Sequence, residues 1–189
     1  MKKFVLGPAL AALAMFVFGA VYWMSPFPYK VLNTTADDDA AGLALAKIFP
    51  ETGTYLVPGA QLDEKQRAEL HKRGPSAEVH FIKEGYAGIE PTTLIKGYVH
   101  YFVVSLLLAI LLVKAEPAFK SYSSRIRFSA LVGVVGSALI DYSDPIWWHH
   151  PWAWHVVCSL YAVLAFIVSG LVLAAFVKPA AAATSPTGT

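Results

Sequence analysis

The sequence predicts an all-α membrane bundle of four transmembrane helices, with a small α+β extracytoplasmic insertion between helices 1 and 2. Three observations carry this expectation. Of 189 residues, 56% are hydrophobic and only 15% charged, against about 25% charged in a soluble domain. Four apolar runs approach the roughly 20 residues that cross a hydrocarbon core of about 30 Å. Between the first two runs lies a polar stretch too long for a simple loop. The mean hydropathy of +0.51 agrees. The net charge of +2 is too small to imply a nucleic-acid partner, and no basic run appears. The single cysteine, Cys158, lies inside an apolar run and reads as a buried structural thiol that has no disulfide partner in the chain.

The first run, Phe4 to Met24, follows Lys2 and Lys3 and defines helix 1 within residues 1–25. A signal peptide would have a shorter apolar region ending in small residues. Val21, Tyr22, Trp23 and Met24 are bulky, so the run reads as an uncleaved anchor. Pro8 falls in its first two turns, where a missing N–H costs little. Helix 2 is assigned to residues 92–114, a cytoplasmic loop to 115–127, and helix 3 to 128–144. An outer Trp/His-rich loop follows at 145–153, helix 4 at 154–178, and a disordered cytoplasmic tail at 179–189. Asp144-Pro145 is expected to end helix 3, because proline disfavours helical geometry in the residue before it. Ile146, Trp147 and Trp148 then continue as irregular chain.

Orientation follows from Lys and Arg placement. With the N-terminus in the cytoplasm, that side receives Lys2, Lys3, Lys114, Lys120, Arg125, Arg127 and Lys178 against the single acid Glu116. Both termini are then cytoplasmic, as in a bacterial-type inner membrane protein. Trp23, Trp147, Trp148, Trp152 and Trp154 all fall at the outer boundary, where amphipathic rings anchor a protein in the interface.

Residues 26–91 form the extracytoplasmic insertion, with seven Lys/Arg against ten Asp/Glu. Asn33-Thr34-Thr35 before Asp37, Asp38 and Asp39 predicts a helix start, since acids in a first turn complement the helix dipole. That helix carries Leu43, Leu45, Ile48 and Phe49 and stops at Pro50. The three aspartates could alternatively bind a divalent cation, but other oxygen ligands would have to converge with them. Gly53 to Val57 predicts a strand, Gln61 to Lys72 a polar helix stopped at Gly74-Pro75, and Ala77 to Ile82 a second, alternating strand. His71 and His80 are expected on solvated faces. With few large apolar residues of its own, the insertion is expected to lean on the membrane surface or a partner.

Several short motifs bear a resemblance. They are Trp23-Met24-Ser25-Pro26-Phe27-Pro28, Gly53-Thr54-Tyr55-Leu56-Val57-Pro58, His71-Lys72-Arg73-Gly74-Pro75, the Ser-Tyr-x-x-Arg run from Ser121 to Arg125, and the Trp-rich third outer boundary. The chain resembles a group of small four-span bacterial inner-membrane proteins of unknown function. The resemblance implies the four-span fold and no activity. The His149-His150 pair is not expected throughout such a group.

Candidate chemistry concentrates in Asp141 to His155, which holds two acids, three histidines and four tryptophans. His100 lies fourteen residues from Lys114, and Asp141 fourteen from Arg127, each about 21 Å of helix. Helices 2 and 3, joined by a short loop, are expected to be antiparallel neighbours, which would set His100 and Asp141 at one depth. Ser129, Gly133, Ser137 and Asp141 recur every four residues, as do Gly97, Tyr101, Ser105 and Ala109. Such small-residue stripes let helices approach closely. An intramembrane acid is costly and needs compensation, for which His100 and Tyr101 are the nearest candidates.

The favoured reading is a structural polar cluster of His100, Tyr101, Asp141, Asp144 and His155, within a non-enzymatic accessory or assembly protein that works with a membrane partner. A second is a metal site drawn from His100, Asp141, His149, His150 and His155, with Asp144 as the other acid, suited to zinc or copper. A b-type haem between His100 and His155 belongs to the same class. Proton or small-solute handling is a third, and a hydrolase lacks any nucleophile setting.

Overall fold

A computed structural model describes residues 4–177; Lys2, Lys3, Lys178 and the tail at 179–189 lie outside them. Helix accounts for 69% of the chain, and the described residues divide into two units.

The larger unit runs to Asn33 and resumes at Pro91. It contains α1 (Leu6–Met24), α4 (Pro91–Lys114), α5 (Tyr122–Ile140), the short α6 (Ser143–Trp147) and α7 (Trp152–Phe176). Helices α1, α4 and α7, together with the span Tyr122–Trp147, are long and apolar enough to cross a membrane. They suggest a multi-pass membrane protein. The small unit, Thr34–Glu90, contains α2 (Asp38–Ile48), β1 (Gly53–Val57), α3 (Glu64–Arg73) and β2 (Ala77–Phe81).

Packing in the larger unit departs from the expected order. Helix α5 lies along α7, while α1 packs against both α4 and α7; α4 and α5 scarcely touch. A short connection fixes only where two helix ends meet. The small-residue faces decide which helices pack. A methyl group at Gly133 would lie 2.9 Å from Phe166 Cβ and 3.1 Å from Val163 Cα on α7, and one at Gly170 would lie 2.6 Å from Ser129 Cβ. Glycine and serine at these positions let the two backbones approach closely. Ser137 donates to the Ser159 carbonyl at 3.5 Å. Against α1, the second stripe buries Ser105 and Ala109, and the Ser105 hydroxyl meets Met15 Sδ at 3.4 Å. Leu108, Leu112, Leu173 and Val177 join Ala11 in the apolar core nearby.

The third span also differs in detail. It begins at Tyr122, where the Ser121 and Ser124 side chains form a reciprocal capping box, so the preceding loop is shorter than 115–127. At the other end Pro145 does not stop the helix. The chain breaks at Asp141-Tyr142 and restarts as α6, placing Pro145 in a first turn, where no hydrogen bond is lost.

In the small unit, Asp37 caps α2 by accepting from the Ala40 N–H at 2.9 Å, and Asp63 caps α3 by accepting from Gln66 at 2.9 Å. The strands pair antiparallel, Gly53 with Phe81 through Val57 with Ala77. Phe49 supplies the buried centre against the rings of Tyr55 and Phe81. A hydrogen bond from Thr52 holds the exposed Glu84 carboxyl below its usual range. His71 and His80 are exposed. So are Leu43, Leu45 and Ile48, which leaves three of the four expected α2 apolar residues exposed.

Candidate metal centre

Asp144, His150 and His155 each offer one ligand atom, and these atoms all lie within 4.8 Å of one another. Local structure explains the convergence. Asp144 sits in the first turn of α6, and its backbone carbonyl accepts from the N–H of Trp148 at 2.9 Å and of His150 at 3.5 Å. The loop is thereby folded back over Asp144. Pro151 caps α7, and His155 lies in that helix's first turns. Helical side chains lean toward the N-terminus, which here is the loop. His155 Nδ1 stands 3.9 Å from Asp144 Oδ2, and the His150 and His155 ring centres are 5.6 Å apart.

The environment is that of a shielded rim. The His155 side chain is 13% exposed and that of Asp144 43%. Asp141, at the end of α5, interacts electrostatically with His155 and Asp144. A cation there would be drawn by two carboxylates.

The donor set fits a divalent transition metal. Two imidazoles and a carboxylate ligate zinc with a fourth position left for water, and the same trio serves other first-row metals. Donors at about 2.0–2.1 Å around a tetrahedral ion lie about 3.3–3.4 Å apart. The His155–Asp144 separation is 3.9 Å and the trio is bounded at 4.8 Å, so the ligand atoms would have to close in by about half to one and a half ångström around an ion.

Other expected members fall elsewhere. His149 adopts φ +58° and is exposed, so the turn parts it from His150. The structure does not pair His100 with Asp141. His100 is exposed, and its ring meets that of Tyr101. The Tyr101 hydroxyl instead bonds that of Tyr161 on α7. The reason lies in the packing: α4 turns its small-residue face to α1, not to α5.

Around this end of the unit the tryptophans gather. Trp23 meets Trp154 at 5.9 Å and Tyr161 at 5.1 Å between ring centres, while Tyr142 lies beside Trp152. Trp147, Trp148 and Trp152 are largely exposed. Sequence reasoning did not foresee Tyr161 and Tyr22 as the centre of this cluster; the Tyr22 hydroxyl donates to the Val157 carbonyl at 2.9 Å. Their only sequence signal is aromatic residues near helix ends.

No family model, curated protein or solved structure matches the chain.

Proposed function

We propose that this chain is a non-enzymatic accessory protein of a bacterial-type inner membrane that holds one divalent transition-metal ion at Asp144, His150 and His155. The convergence of these three ligand atoms carries the reading. Zinc suits two nitrogens and one oxygen in a site walled partly by protein. The chain's residues supply the ligands, and Asp141 supplies a second negative charge beside them. Retention or hand-over of the ion is the activity proposed.

Purified protein loaded with zinc and freed of excess should hold about one equivalent by elemental analysis. Asp144→Ala and His155→Ala should each weaken binding by at least the roughly 10–100-fold that loss of an outer-shell partner costs. Wild-type protein that retains no metal would end the proposal.

The orientation proposed has both termini in the cytoplasm and residues 26–91 outside. Lys114 ends the second span, Lys120 lies in the connection, and Arg125 and Arg127 lie in the first turns of the third; short cation-rich connections stay inside. A cysteine placed at Ser76 should react with an impermeant maleimide in whole cells, and one at Ser121 should not. The reverse pattern would invert the topology.

A further inference from the structure

We propose that Arg125 and the opening turn of α5 bind a phosphate-class anion, of the kind an anionic phospholipid headgroup presents. Arg125 is only 4% exposed. Its Nε and Nη1 are buried, and neither has a hydrogen-bond partner among the described residues. A guanidinium stays charged at any physiological pH, so it cannot escape the cost of burial by losing a proton as a lysine would. An unpaired buried charge is strongly unfavourable, and an anion from outside the described residues would stabilise it.

The direction of the side chain locates the site. The guanidinium lies over the ring of Tyr122, the first residue of α5, 5.9 Å from its centre. It therefore reaches back toward the helix N-terminus, where free N–H groups and the helix dipole favour an anion. Tyr122 is pinned by its hydroxyl bond to the Leu171 carbonyl on α7, and Ser121 caps Ser124. A guanidinium gives phosphate strong, charge-assisted hydrogen bonds, and the N–H groups of Nε and Nη1 remain unused. Lys120 and Arg127 flank the turn and add to the local positive field. This site lies on a loop and helix start that take no part in the Asp144–His150–His155 cluster.

The test is thermal unfolding of the full chain in neutral detergent with added phosphatidylglycerol, phosphatidylcholine or inorganic phosphate. At about a hundredfold excess over the dissociation constant, phosphatidylglycerol should raise the midpoint by roughly 5 °C. Phosphatidylcholine should do much less, and Arg125→Met should abolish the difference. An equal rise with inorganic phosphate would support the site and identify a free anion as its ligand. No rise with either ligand, or an Arg125→Met protein that responds as wild type does, would overturn the proposal. Should Arg125→Met fail to fold, native mass spectrometry of the wild type decides. Preferential retention of phosphatidylglycerol over phosphatidylcholine supports the site, and equal retention overturns it.

Discussion

At His149 the backbone enters the left-handed region, φ +58°, where a side chain with a Cβ is disfavoured by about 1–2 kcal/mol. That single residue decides which histidine of the adjacent pair faces Asp144. With His149 turned outward, the following N–H returns to the Asp144 carbonyl and His150 comes into ligand range. His149→Gly keeps the turn and should keep the metal at wild-type affinity, whereas His150→Ala should lose at least the roughly 10–100-fold that removing an outer-shell partner costs. Zinc titrations of the two variants separate them. Equal losses would mean that the site uses either histidine. The histidines and acids were legible in the sequence as a dense run. The selection of His150 over His149 was not, because it depends on one backbone angle.

The contact between α5 and α7 sets the height of the site, since it holds the α6 turn against the start of α7. Gly133 and Gly136 share α5, yet their surroundings differ. A methyl group at Gly133 would press on Phe166 Cβ and on the backbone at Val163, while one at Gly136 meets nothing within 4 Å. Gly133→Ala should therefore destabilise the protein by about 1–3 kcal/mol, the usual cost of overpacking. Gly136→Ala should be neutral or stabilising by up to about 1 kcal/mol, from helix propensity. Unfolding both variants in the same detergent measures the difference; identical midpoints would contradict the close packing. The stripe Ser129-Gly133-Ser137 was legible because small residues recur every four positions. Its partner was not. The short α4–α5 connection pointed to α4, but chain connectivity says nothing of which faces match. For the same reason Arg125, countable as a cation, could not be seen to be buried.

On the scale of the whole molecule, four spans were legible from hydropathy and length, and so was a polar insertion with two short strands. Helix ends were placed less well where side chains decide them, as at Ser121, or where a proline opens a new helix, as at Pro145. The small unit leaves Leu43, Ile48, Tyr86 and Ile89 between 66% and 81% exposed. These side chains are where the proposed accessory role would place a partner, since contiguous apolar surface marks interaction sites. Purification in mild detergent should co-recover a protein partner, and Leu43→Glu with Ile48→Glu should release it. Recovery of the chain alone under every mild condition would remove that role without touching the metal proposal.

The metal proposal is tested most directly by the visible spectrum of the protein loaded with cobalt(II), an ion that reports its own coordination. The account predicts intense bands of a four-coordinate site at one cobalt per chain, retained in His149→Gly and lost in Asp144→Ala, His150→Ala and His155→Ala. A spectrum of hydrated cobalt alone, or bands indifferent to those three substitutions, would contradict it.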